Sequence, residues 1–357
     1  MIRFFPVLAA AVAAVAQQSA PQPAWPVKQG DARLREFKFT DGSALAELKI
    51  HYRTLGSPQR DAQGRVTNAV MLLHGTGGSG AQFLNPIFAD ELFGPGQPLD
   101  IAKFYIIMPD GIGHGDSSKP SDGMHARFPH YGYTDMVEAQ RRMLVEGLGV
   151  DRLRLLLGTS MGCMHTYVWA ETHPEFLEAA MPLACLPTGI SGRNLAWRMT
   201  IIQAIRNDPE WHSGDYTVEP PSLRTALSII ALVSGNPVTW QHAGPDREKA
   251  LAYFRRVTEA RLGTSDANNI LYAVDASRDY NPAPGLSRIR TPMTHINFSD
   301  DTINPPELHI AEPLLKQAPT VTFELYPYTA DTIGHGSHTK AVLWKDRLEK
   351  LLQRTAH

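Results

Sequence analysis

Cysteine is nearly absent. Cys163 and Cys185 are the only two in 357 residues, too few for a disulfide framework and without the spacing of a zinc cluster, which excludes structural zinc. An excess of one charge is missing too: 34 Lys plus Arg stand against 36 Asp plus Glu, a formal net of -2. That balance leaves no electrostatic footprint for a nucleic acid. No internal repeat is present, and no apolar run reaches the roughly 20 residues that a bilayer-spanning helix needs. With 28 Gly and 27 Pro the chain is loop-rich yet far from collagen-like or low-complexity. A 43% hydrophobic content is enough for a substantial core.

The amino terminus differs in character from the rest of the chain. Met1-Ile2-Arg3 is positively charged, Phe4 to Ala16 is apolar, and Ala14-Val15-Ala16 has the small-x-small form of a signal-peptidase site. The pattern predicts a cleaved signal peptide over 1–16, a flexible lead-in over 17–30, and a secreted or periplasmic mature protein.

Beyond residue 30, short β-rich runs alternate with helical patterns. The runs are Ala69 to Leu73, Phe104 to Met108, Leu153 to Leu157, Ala180 to Ala184, Met293 to Phe298 and Val321 to Tyr326. Runs apolar on both faces suit parallel strands covered by helices on each side, so the class predicted is α/β, a doubly wound, mostly parallel sheet. From 187 to 285 the rhythm becomes purely helical, with candidate helices at Leu195 to Ile205, Ser222 to Val233 and Asp246 to Arg261. This block is expected to be a helical cap inserted between sheet strands, dividing the core into 31–186 and 286–357. In such folds ligands bind at the carboxyl edge of the sheet.

The sharpest motif is Gly158-Thr159-Ser160-Met161-Gly162, a G-x-S-x-G between a predicted strand and a predicted helix. That is the context of a nucleophile elbow, in which a sharp turn lifts the serine hydroxyl above the sheet and the next amide donates to an oxyanion. A second motif, His74-Gly75-Thr76-Gly77-Gly78-Ser79-Gly80, contains G-x-G-x-x-G and mimics a dinucleotide fingerprint. A nucleotide site also needs an acidic residue closing a second strand about 20 residues on, and that region is the loop Gly94 to Asp100. The His-Gly-x-Gly-Gly turn therefore reads as the other half of an oxyanion hole, with the Thr76 amide beside that of Met161 and Gly77 next in line.

A serine needs a base, and the base an orienting acid. On this fold the order is Ser, acid, His. The run Met293 to Phe298 is followed by Ser299-Asp300-Asp301, and Val321 to Tyr326 by a loop bearing Gly334-His335-Gly336-Ser337-His338. His335, flanked by glycines, is the expected base, with His338 the alternative. Metal ligation by this His pair lacks a second cluster of ligands. His74 reads as structural, holding the oxyanion turn, and the isolated histidines elsewhere read as surface or core residues. Cys163 lies one turn into the elbow helix and Cys185 follows a strand; export permits a bridge, but such positions seldom face each other, so unpaired thiols are expected.

These residues resemble the α/β-hydrolase superfamily and, within it, the homoserine O-acetyltransferase-like branch. The likeness rests on Phe128-Pro129, Tyr133 to Gln140, Leu148-Gly149-Val150, Gly158 to Gly162, Met164 and Trp169-Ala170. In the cap it rests on Gln203-Ala204-Ile205, Asp208-Pro209, Trp211, Gly214 and Tyr216. Asp301-Thr302-Ile303-Asn304-Pro305-Pro306 is similar to the branch's acid loop, and that similarity selects Asp301 over Asp300. Three positions depart from the transferases. The turn reads H-G-T-G-G rather than H-A-L-T-G, the loop Gly111 to Ser117 is hydrolase-like, and Ile202 stands where the transferases have Arg before Q-A-I.

Together these readings predict an exported serine hydrolase of carboxylic esters or related acyl compounds, with Ser160, Asp301 and His335 as its triad and Thr76 and Met161 as oxyanion donors. The alternative is an O-acyltransferase of the homoserine O-acetyltransferase type. No cofactor or metal is expected. The partner is a small acyl substrate, with homodimerisation left open. Trp197, Trp211, Tyr216 and Trp240 are the cap aromatics from which a pocket lining is expected, Trp211 being the one assigned to packing.

Overall fold

A computed structural model describes residues 25–356. The expected signal peptide and most of the lead-in lie outside these residues. The strands are β1 (Lys28–Lys38), β2 (Ala44–Leu55), β3 (Ala69–Leu73), β4 (Tyr105–Pro109), β5 (Leu155–Thr159), β6 (Ala180–Leu183), β7 (Met293–Phe298) and β8 (Val321–Tyr326). They form one sheet in the order β1-β2-β4-β3-β5-β6-β7-β8. β1 and β2 pair antiparallel, as do β2 and β4, and every other pairing is parallel. The expected α/β class is what is observed.

Alternation along the central strands explains the layering, because successive side chains point to opposite faces. Met71, Leu73, Ile107 and Leu156 enter one core. Val70, Leu72, Ile106, Met108, Leu155 and Leu157 enter the other. Strands buried on both faces cannot show a polar stripe, and β3 to β7 are buried throughout.

The helices are α1 (Pro86–Leu92), α2 (Tyr133–Arg142), α3 (Met161–Thr172), α4 (Gly192–Arg206), α5 (Ser222–Ser234), α6 (Pro237–Ala243), α7 (Arg247–Glu259), α8 (Ala267–Asp275), α9 (Ala311–Leu315) and α10 (Lys345–Arg354). α4 to α8 form the insertion between β6 and β7.

The hairpin of β1 and β2 is unexpected, and β1 takes over residues 28–30 of the predicted lead-in. Its alternation is interrupted: Leu34 and Phe37, three apart, are both buried, and Glu36 between them has φ +49°. An unbroken period-2 pattern is therefore absent from the strand. β5 begins two residues later than expected, since Leu153 makes only an isolated bridge to Leu177.

After β3 the chain moves outward to β4 and then returns to place β5 on the other side of β3. This reversal opens a crevice at the carboxyl ends of β3 and β5, the ends that carry His74 and Ser160.

Candidate active site

Ser160 caps α3 with φ +54° and ψ -108°, a backbone conformation that costs roughly 1–3 kcal/mol for a residue with a side chain. Its surroundings enforce it. The Ser160 amide donates to the Leu183 carbonyl at 2.9 Å and the Gly162 amide to the His74 carbonyl at 3.0 Å. A Cβ on Gly162 would overlap the Leu73 carbonyl, so only glycine lets α3 start this close to β3.

His335 Nε2 lies 2.8 Å from Ser160 Oγ, and His335 Nδ1 lies 2.8 Å from Asp301 Oδ2. In the tautomer this geometry fits, Nδ1–H donates to the carboxylate and Nε2 accepts from the hydroxyl. Asp301 is 1% exposed. Its carboxylate also accepts from the Ile303 amide at 2.8 Å and from Asn304 Nδ2 at 2.9 Å. Burial alone would raise its pKa, but the facing His335 and these hydrogen bonds override that and hold it below the ordinary value. His338 is also buried, and burial followed by the nearby His335 pulls it down to about 3, so it stays neutral. It stands 5.2 Å from the His335 ring, centroid to centroid, while Ser160 Oγ is hydrogen-bonded by His335.

The second loop is a β-turn in which the Gly78 amide donates to the Gly75 carbonyl at 3.0 Å. Gly77, at the third position, has φ +67°, the value that a type II turn requires there. His74 holds the turn from below: Nδ1–H donates to the Gly75 carbonyl at 2.9 Å while Nε2 accepts the Gly111 amide at 2.9 Å. Burial lowers its pKa and keeps it neutral in that two-way role. Gln82 ties the same turn to β5 through Thr159 Oγ1 at 3.0 Å. Within the described residues the amides of Thr76 and Met161 donate to no protein acceptor. Gly75 lies against the elbow: a Cβ on it would stand 3.4 Å from Ser160 Cβ.

Above these groups is a cavity of about 530 Å³ lined by Ser160, His335, Thr76 and, from the insertion, Trp197, Ile230 and Val233. Of the four cap aromatics, Trp197 reaches it. Trp211 Nε1 instead donates to Asn268 Oδ1 at 2.8 Å, Tyr216 OH donates to Asp266 Oδ2 at 2.8 Å, and Trp240 packs edge-on against Tyr253.

The expectation of unpaired thiols is overturned. Cys163 and Cys185 form a disulfide with Cα atoms 5.9 Å apart. Pairing of Thr159 with Leu183 at the ends of β5 and β6 carries both chains to one point, so the first turn of α3 meets the residues leaving β6. Sequence reasoning also missed Asn304, Gln82 and Arg261. Asn304 stands inside the acid-loop motif, whereas Gln82 and Arg261 carry no local signal.

The fold and this site define an α/β hydrolase. The alpha/beta hydrolase fold family's sequence profile matches residues 68–311, and the chain belongs to that family, in its homoserine O-acetyltransferase-like branch. A probable acyltransferase of Methanothermobacter thermautotrophicus is 26% identical over 303 residues, covering 85% of this chain and 91% of that one. A homoserine O-acetyltransferase of Thermobifida fusca is 33% identical over 208 residues, covering 54% of this chain and 53% of that one. Among solved structures, esterase E22 superposes with a TM-score of 0.78 at 20% identity, covering 91% of this chain and 100% of that one, a likeness of fold alone.

Proposed function

We propose that the protein is an exported serine hydrolase that cleaves a carboxylic ester through an acyl-enzyme. The observation that carries this reading is the relay Ser160 Oγ, His335, Asp301, with both links at 2.8 Å, opening into the cavity. Ser160 Oγ attacks the ester carbonyl as its proton passes to His335 Nε2. Asp301 fixes the imidazole's tautomer and stabilises its charge. The Thr76 and Met161 amides receive the oxyanion, each worth about 2.7–4 kcal/mol of barrier by analogy with other oxyanion donors. Collapse breaks the bond to the alcohol, which takes the proton from His335. Water, deprotonated by the same imidazole, then attacks the acyl carbon and frees the acid and Ser160. These steps draw on side chains, backbone and water only.

Acyl transfer to an alcohol would resolve the same intermediate, and the sequence relatives give it standing. Hydrolysis is favoured by the H-G-T-G-G turn and by Ile202, which is 3% exposed in α4 where the transferases have Arg. Export is supported by the amino-terminal pattern and by the disulfide, a bond that persists in oxidising compartments.

Purified protein should be labelled by a fluorophosphonate and should hydrolyse p-nitrophenyl esters at a rate unchanged by acetyl-CoA plus homoserine. Ser160→Ala should lose labelling and turnover while keeping its fold. Labelling of that variant at full strength would move the nucleophile elsewhere, and turnover only with acetyl-CoA plus homoserine would make the protein a transferase. Export predicts a mature chain beginning near Gln17 by mass spectrometry of native material; an intact Met1 terminus would defeat it.

A further inference from the structure

Charge in the cavity is one-sided. Arg193, Arg198 and Arg261 all line it, and among the described residues no aspartate or glutamate does. Arg198 projects from α4 and is 4% exposed. Its hydrogen bonds go to neutral acceptors: Nε to Asn194 Oδ1 at 3.0 Å, and Nη1 to the Val274 carbonyl and Ser277 Oγ, each at 3.2 Å. Its guanidinium carbon lies 4.6 Å from the Trp197 ring centroid. Arg261, between α7 and α8, donates from Nη2 to the Gly77 carbonyl at 2.9 Å, which seats it on the oxyanion turn itself. Arg193, at the exposed edge, donates to the Thr302 carbonyl at 2.6 Å.

None of the three has a carboxylate partner among the described residues. The contrast with Arg53 is direct: half-buried, its side chain meets the buried Asp110 at 2.8 Å. Burying a cation without a counter-charge is expensive, and neutral hydrogen bonds recover only part of the lost hydration. Burial indeed pulls Arg198 and Arg261 below the ordinary arginine value, though a guanidinium remains protonated at any working pH. A fold that needed only packing here could use Met or Leu. Two guanidiniums, Arg198 buried and Arg261 half-buried, that line one cavity with a serine nucleophile and lack a carboxylate partner among the described residues make a site for an anion.

We propose that the ester bound here carries a carboxylate, received by Arg198 and Arg261 while Ser160 attacks the ester carbonyl. Planar guanidinium donors match carboxylate geometry, and the exposed Arg193 adds to the field that draws such a substrate in. The inference deepens the hydrolase reading and rests on it for the bond that is cleaved.

The test compares matched esters: 3-acetoxybenzoate with its methyl ester, and ethyl hydrogen glutarate with diethyl glutarate. The wild-type protein should prefer the anionic member of at least one pair in kcat/KM by about 10- to 100-fold, the range expected of hydrogen bonds to a charged group. Arg198→Met and Arg261→Met should each shrink that preference at least about tenfold, and Arg198→Lys should restore part of it. A preference near one in both pairs, or one undiminished in both Met variants, would overturn the proposal. Binding is read separately on Ser160→Ala, whose melting temperature should rise with 3-acetoxybenzoate and not with the methyl ester. Stabilisation without wild-type turnover would sink the hydrolase reading and keep the anion site; equal turnover of both esters without selective stabilisation would do the reverse.

Discussion

Asp300 Oδ2 accepts the amide hydrogen of Gly334 at 2.8 Å, the residue before His335, while the adjacent Asp301 accepts from the His335 imidazole itself. Asp300 also takes Asn236 Nδ2 from the insertion at 2.6 Å. Two neighbouring acids thus divide the work: one sets where the histidine loop runs and the other how the ring sits.

That division predicts unequal variants. Asp301→Asn should lose about 10⁴ in kcat with little change in KM, as the corresponding change does in a serine protease. Asp300→Asn should lose about tenfold or less and mainly loosen the loop, since an amide oxygen can still accept from Gly334. Steady-state kinetics on one ester decide it, and the reverse ranking would reassign the acid.

Removing the disulfide with Cys163→Ala and Cys185→Ala should lower unfolding free energy by about 3 kcal/mol, the loop-closure value for a separation of 22 residues. Denaturant unfolding of the double variant against wild type measures it. Intact protein should also gain about 2 Da on reduction, one hydrogen for each sulfur that the bridge joins. No mass gain would mean free thiols.

Buried neutral histidines set an acid limit to stability. Burial, followed by neighbouring His74, pulls His114 down to about 3, so between its unfolded value near 6.5 and that point the unfolded chain binds a proton the folded one refuses. Stability from this group is therefore full above about pH 6.5 and is lost as pH falls toward 3. Glu171, half-buried and raised by burial to about 7, acts oppositely: its stability is full below the ordinary glutamate value and is lost as pH rises through 7. His114→Gln isolates one contribution. Its unfolding free energy should fall less steeply than wild type from pH 6 to 4.5, by about 1.4 kcal/mol per pH unit; parallel slopes would show that His114 titrates normally.

Trp197 reaches the cavity while Trp211, Tyr216 and Trp240 pack elsewhere. Trp197→Ala should change the relative kcat/KM across p-nitrophenyl esters of increasing chain length by about tenfold, because a large aromatic wall is removed. Trp211→Ala and Trp240→Ala should lower the melting temperature and leave the ratios within about twofold, as expected where packing alone is lost. Unchanged ratios in all three would remove the insertion as a source of selectivity.

Local rules were enough to read the elbow, the order of serine, acid and histidine, and the strands β3, β7 and β8, whose bounds the structure repeats. Each is a short-range fact: a small-residue turn between an apolar strand and a helix has few ways to fold, β3 announces itself by unbroken apolarity, and β7 and β8 by β-branched and aromatic residues in a short run. Sequence similarity, not periodicity, was needed to choose Asp301 over Asp300, because nothing local tells which of two consecutive acids turns toward a ring 34 residues away.

Tertiary structure alone decided the rest. The hairpin of β1 and β2 is half solvated and loses its alternation at Glu36, so its pairing is visible only once both strands lie side by side. The bridge between Cys163 and Cys185 depends on the register of β5 with β6, which no residue spacing reveals. Arg198 and Arg261 come from separate elements of the insertion to line one cavity, and Arg261 reaches the turn after β3 at Gly77, 184 residues away along the chain. Contacts of that range arise from packing of whole elements, and a linear sequence carries the residues but not their convergence.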